Sequence, residues 1–108
     1  MLTCWHMSTT LGEARHDLDE IPGLDDLART FLCLRTEEEA KRFLRDLCTL
    51  GELEALAHRW QIVRLLDEGH PYLEIAERVH TSTATVTRVA QWLRHGTGGY
   101  RLALDRGR

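Results

Sequence analysis

The chain has 108 residues, 43% hydrophobic and 29% charged, a balance that excludes a disordered polyelectrolyte. Its net charge at pH 7 is −3, which argues against a uniformly basic nucleic-acid binder. The charge is uneven, however: residues 1–54 hold 6 basic and 12 acidic side chains (net −6), and residues 55–108 hold 8 and 5 (net +3). A polyanionic partner would therefore meet the second half. Thirteen of the 14 basic residues are Arg. That suits bidentate phosphate and guanine contacts, although genomic base composition explains the bias more simply.

In chain order, residues 1–23 read as a flexible N-terminal tail. They are polar and aperiodic and end in Ile21-Pro22-Gly23, a turn signal. The start lacks the basic and apolar regions of a secretory signal. Cys4 and His6 are two possible metal ligands without a third beside them, so they read as a frayed terminus. Cys4, Cys33 and Cys48 are scattered and form no Cys-x-x-Cys, so a reduced, cytoplasmic protein is expected. No apolar run reaches the ~18 residues of a membrane span.

From Leu24 to residue 108 the spacing predicts a single all-α domain. Leu24, Leu27, Ala28, Phe31 and Leu32 fall on one helical stripe. A second helix opens at Thr36, with Glu39 placed for a capping box. Its stripe is Ala40, Phe43, Leu44, Leu47 and Cys48, with Cys48 expected in the core. Gly51 reads as a break, and a third helix is expected from Glu52 to Glu68, stopped by Gly69. Its stripe is Leu53, Leu56, Ala57, Trp60, Val63 and Leu66. Ile62 and Leu65 widen that face, so this helix needs two partners, the second of which a small chain would find in another subunit.

Two short helices follow. Pro71 suits the first helical position, and Tyr72, Ile75, Ala76 and Val79 make a stripe. Thr81 and Ser82 supply an N-cap, and Val86, Val89, Ala90 and Leu93 make the next stripe. This is a helix-turn-helix pattern over about residues 71–94. His80 stands in the turn where glycine is common, at a position a histidine can take with positive φ. Ser82, Thr83, Ala84, Thr87, Arg88 and Gln91 are left on the outer face of the second helix. They are small or polar, as entry into a major groove requires. Hydroxyls can meet phosphates or base edges, Arg forks onto guanine, Gln onto adenine, and Ala touches a thymine methyl. A plain helical hairpin would show Glu and Lys on that face instead. Trp92 points toward a short final helix at Tyr100–Asp105, with Tyr100 as its expected neighbour.

Several stretches carry a resemblance. Glu54-Ala-Leu-Ala-His-Arg59 through Ala84-Thr-Val-Thr-Arg88 resembles the core of the tryptophan repressor superfamily. The likeness is closer to its Trp-repressor-like YerC/YecD family, through Phe43-Leu-Arg-Asp-Leu-Cys-Thr49, Ser82-Thr-Ala-Thr-Val86 and Gly98-Gly-Tyr-Arg-Leu-Ala-Leu-Asp-Arg106. It covers roughly Leu24 to Arg106. It implies a Trp-repressor-like helical bundle forming an intertwined homodimer. It also implies operator DNA as the partner, with double-stranded half-sites about one helical turn apart. The expected function is a sequence-specific DNA-binding transcriptional regulator of the repressor type. Thr49, Arg59 and Arg88 match three positions around the bound tryptophan of the repressor, where the Thr comes from the partner subunit. Val89 stands where the repressor has a Gly, which crowds that pocket. Tryptophan is therefore not expected as effector, and the two arginines are left for phosphate, a carboxylate or another small ligand.

The rival class is a helical protein–protein interaction module without DNA binding, which the net charge favours and the polar helix face disfavours. An enzyme is not expected: no acid–base pair or nucleophile can be assembled, His58, His70, His80 and His95 show no ligand spacing, and no cofactor or metal is implied.

Overall fold

The computed structural model describes residues 17–107. Most of the expected tail therefore lies outside the described residues, as do Cys4 and His6; residues 17–19 are helical and lead through turns to Gly23. Six helices follow: α1 (Leu24–Phe31), α2 (Glu37–Leu47), α3 (Leu50–Asp67), α4 (Tyr72–Arg78), α5 (Thr83–His95) and α6 (Gly99–Arg106). The described residues contain no strand, in agreement with the all-α expectation.

The helix starts follow side-chain capping. Thr36 accepts the Glu39 amide at 3.1 Å, but the Glu39 carboxylate accepts from Arg35 rather than from Thr36, so the box is only half formed. The complete capping box lies one helix later. Thr49 Oγ1 accepts the Glu52 amide at 3.1 Å, and Glu52 Oε1 accepts the Thr49 amide at 2.8 Å. This corrects the expected break at Gly51: α3 begins at Leu50, and Gly51 lies in its first turn. Two reciprocal bonds at a helix start outweigh one glycine inside it. Pro71 sits at the N-cap of α4 with ψ 148°, one residue before its expected place. Cys48, expected in the core, is only half-buried at the end of α2.

The core sits at one end of the molecule. Ile62, Val63, Ile75 and Val86 are fully buried, and Ala76, Val79, Val89, Ala90 and Leu104 join them. These residues come from the second half of α3 and from α4, α5, α6 and the α4–α5 turn. Ile62, expected to face another subunit, therefore packs inside its own protomer. Neither α1 nor α2 holds any buried residue. Phe31, Leu47, Leu50 and Leu56 are 40–59% exposed and Leu32 is 84% exposed. Phe31 makes an edge-to-face pair with Phe43, centroids 5.3 Å apart.

The connection between α4 and α5 is tight. His80 takes φ 57°, and the Thr81 amide returns to the Ala76 carbonyl at 2.9 Å. Left-handed backbone is unfavourable for a residue with a Cβ. His80→Gly is expected to stabilise the fold by about 0.5–1 kcal/mol, the ~1–2 kcal/mol left-handed penalty less the entropic loss of glycine. Urea unfolding reads this, and a less stable variant would show that the imidazole holds the turn by a contact of its own.

Candidate nucleic-acid interface

Helix α5 has two sides. Val86, Val89 and Ala90 are buried against α3 and α4. Ser82, Thr83, Ala84, Thr87, Arg88 and Gln91 are all exposed. Ala84, Thr87, Arg88 and Gln91 recur at helical spacing, so they share one outward stripe, with Ser82 and Thr83 at its N-terminal end. Core packing on one side thus fixes which residues face solvent on the other.

The hydroxyls on this surface have local partners as well. Ser82 Oγ accepts the Thr85 amide at 3.1 Å and lies 3.1 Å from Thr85 Oγ1. It caps the helix, and Thr81 does not. Thr87 Oγ1 donates to the Thr83 carbonyl at 2.9 Å, leaving its lone pairs and methyl outward. The first turn of α5 contains no acidic residue, so its exposed amides and dipole favour an anion there.

Two arginines tie this unit together. Arg94 Nη2 donates to the Tyr72 hydroxyl at 2.8 Å, joining α5 to α4. Arg101 pairs with Asp67 at 3.0 Å, joining α6 to α3. His70, which shows no metal-ligand spacing in the sequence, has two carboxylate partners. Its Nδ1 lies 2.9 Å from Glu74 and its Nε2 3.2 Å from Glu68, with Arg78 also on Glu74 at 3.3 Å. The i, i+4 spacing of His70 and Glu74 across Pro71 was the available signal. Among the described residues no group of three or more His, Cys, Asp or Glu is placed to hold a metal.

Thr49 and Arg59 both belong to α3, and Arg88 lies on α5. Thr49 caps α3, and Arg59 lies ten residues further along it, about 15 Å at ~1.5 Å per residue. Within one protomer these two do not line a common pocket. Arg59 acts instead on Tyr100. Burial raises the Tyr100 phenol above its ordinary 10.0, and the Arg59 charge opposes that shift. Val89 is 6% exposed and part of the core. Tyr100 stacks obliquely on Trp60, centroids 6.4 Å apart, a neighbour that residue spacing did not point to. The Trp92 ring covers Gly96, where a Cβ would stand 2.9 Å from Cε3 and 2.5 Å from the Trp92 carbonyl oxygen. That approach leaves no room for any other residue at position 96.

The fold and the exposed side of α5 define a helix-turn-helix protein. The chain belongs to the Trp repressor family, whose model, described as Trp repressor protein, matches residues 22–108. It is 42% identical over 91 residues to the uncharacterized protein YerC of Bacillus subtilis (strain 168), covering 82% of this chain and 88% of that one. It is 43% identical over 53 residues to a Trp operon repressor homolog of Haemophilus influenzae (strain PittEE), which covers 48% of this chain and 52% of the homolog. A TrpR-like protein from Eubacterium eligens ATCC 27750 superposes with TM-score 0.74 at 34% identity, covering 81% of this chain and 90% of that one. A candidate Trp repressor from Staphylococcus aureus superposes with TM-score 0.75 at 34% identity, covering 83% and 90%.

Proposed function

We propose that the protein is a DNA-binding transcriptional regulator, a repressor that reads operator DNA through α5 and does no chemistry. The observation that carries this reading is the outward stripe of α5, with its small and polar residues held rigidly by the aliphatic residues behind them. Arg88 and Gln91 would read base edges. Ser82, Thr83 and Thr87 would meet phosphate or bases, and Ala84 would leave room for close approach. Family membership supports the same reading. No helix among the described residues is long and apolar enough to cross a membrane, which fits the cytoplasmic setting such a regulator needs.

Arg88→Ala and Thr87→Ala should each weaken specific binding by ~1–3 kcal/mol if each reads a base. Affinity should fall steeply with salt, because phosphate contacts release counterions. Selection from a random duplex pool at two salt concentrations supplies the site and tests both points. If Arg88→Ala leaves affinity and preference unchanged, α5 does not read DNA; if no duplex is retained, the interaction-module reading takes its place.

The working unit in this proposal is a homodimer spanning two half-sites. The support is the unburied apolar surface of α1, α2 and the first half of α3, including Leu32, Leu50 and Leu56. Apolar side chains exposed together on neighbouring helices are a mark of a protein–protein contact surface. Sedimentation at micromolar concentration should give about twice the 12.5 kDa chain mass. Leu56→Asp should shift the protein toward monomer and lower its stability, since interlocked subunits have no stable isolated fold. A monomeric parent chain would end the dimer proposal.

Tryptophan is not the effector in this proposal. Val89 fills the position beside Arg88 and is packed into the core, so an indole would have to displace it, at a cost of ~1–3 kcal/mol. Calorimetric titration with tryptophan should show no saturable heat, with or without DNA. Saturable submillimolar binding would overturn this part. Thr49, Arg59 and Arg88 would then form the effector site across the dimer.

A further inference from the structure

An open groove of about 880 Å³ lies between the end of α3, the start of α4, the second half of α5 and the turn into α6. Its volume is within the ~300–1,000 Å³ range of small-molecule sites. Neither Thr49, Arg59 nor Arg88 lines it. Its lining residues lie between 66 and 101, outside the exposed apolar surface of α1, α2 and early α3.

The floor is apolar. Ala90 is buried, and Leu66 and Leu93 are partly buried against the core. The rim is charged, and most of its charges are already matched. Asp67 is answered by Arg101, which also lies 3.6 Å from Asp105. His70 is turned to Glu68 and Glu74. Arg94 differs: it is exposed, and its hydrogen-bond partner is the neutral Tyr72 hydroxyl. Among the described residues no carboxylate lies within ion-pair distance of it. A guanidinium fork held above an apolar floor, with only a neutral acceptor, favours exchange of that acceptor for an anionic one. The bond to Tyr72 has one charged partner, whereas a carboxylate would supply the opposite charge and accept two parallel bonds from the fork.

We propose that this groove binds a small organic carboxylate with an apolar body. The carboxylate pairs with Arg94, and the body rests on Leu66, Ala90 and Leu93. The planar fork of Arg matches a carboxylate through two parallel bonds. The apolar floor discriminates against bare anions such as phosphate, which have nothing to place there. Binding takes Arg94 away from Tyr72 and so releases the tie between α4 and α5. On the regulator reading above, this makes the groove an effector site that acts on the DNA-facing helix from behind its C-terminal half.

The test uses phenylacetate as probe, phenethyl alcohol as its neutral counterpart and inorganic phosphate as the bare anion. Backbone amide shifts of the full chain are followed during titration. Phenylacetate should give saturable shifts at Leu93, Thr97 and Gly98. Phenethyl alcohol, phosphate and the Arg94→Gln variant should each bind about tenfold more weakly, a difference of about 1.4 kcal/mol. Tyr72→Phe should bind phenylacetate more tightly, because Arg94 no longer has a competing acceptor. Arg94→Lys, which keeps the charge and loses the fork, should fall between Arg94→Gln and the parent. Equal affinity for the neutral probe or for phosphate, an unaffected Arg94→Gln variant that retains its helical spectrum, or shifts confined to other surfaces would each overturn the proposal. These shifts are read without DNA, so a failure to bind any duplex would count against the regulator reading and not against the groove.

Discussion

The structure depends on one small aliphatic cluster at the C-terminal end of α3. Ile62 and Val63 from α3, Ile75 from α4 and Val86 from α5 are fully buried against one another. Burial of each such side chain contributes ~1.5–3 kcal/mol relative to exposure. These few contacts hold two short helices, of 7 and 13 residues, that would be marginal or unstable in isolation. They also set the rotation of α5 about its own axis. Val86 and Val89 inward put Ala84, Thr87, Arg88 and Gln91 outward. Core and candidate interface are therefore two sides of one helix, and neither can be repositioned without the other.

The remainder of the chain has no comparable cluster. Helix α3 runs 18 residues, and its buried residues, Ile62 and Val63, both lie in its second half. Over the first half Leu50 and Leu56 are exposed and Leu53 is half-buried. The chain thus contains one half with a buried core and another whose described helices α1 and α2 bury no residue. The charge follows the same division, with the acidic excess on the unpacked half and the basic excess on the packed one. In the proposed function the first half assembles the molecule and the second meets DNA. The electrostatics suit that division, because the acidic half would be held away from phosphate.

Much of this was legible from residue spacing. The stripes of α4 and α5, the Ser82 cap and the positive φ at His80 are local features, and local sequence specifies them. The start of α3 is legible too, in the Thr49–Glu52 capping pair, which outweighs Gly51 in the first turn. Other features were not local. Whether Ile62 faces its own protomer or a second one depends on how α4 and α6 fold back, which periodicity does not encode. The partner of Tyr100 turned out to be Trp60, a contact between residues distant in sequence. The outward stripe of α5 could be read because burial on one side of a helix fixes the other. The groove at Arg94 could not, because its walls come from two stretches of chain, 66–72 and 90–101, that only the fold brings together.

The left-handed residue at His80 has a consequence for how this scaffold can diversify. The turn has a fixed length, running from Val79 through His80 and Thr81 to the cap at Ser82. Inserting one residue there would rotate α5 by ~100°, carrying Val86 into the exposed place of Thr87 and Arg88 into the buried place of Val89. Such a change loses the fold before it changes any preference. Substitution along the outward stripe leaves the interior untouched. The scaffold therefore resembles a typewriter element on a locked shaft: the characters can be exchanged one by one, but the shaft admits no intermediate angle.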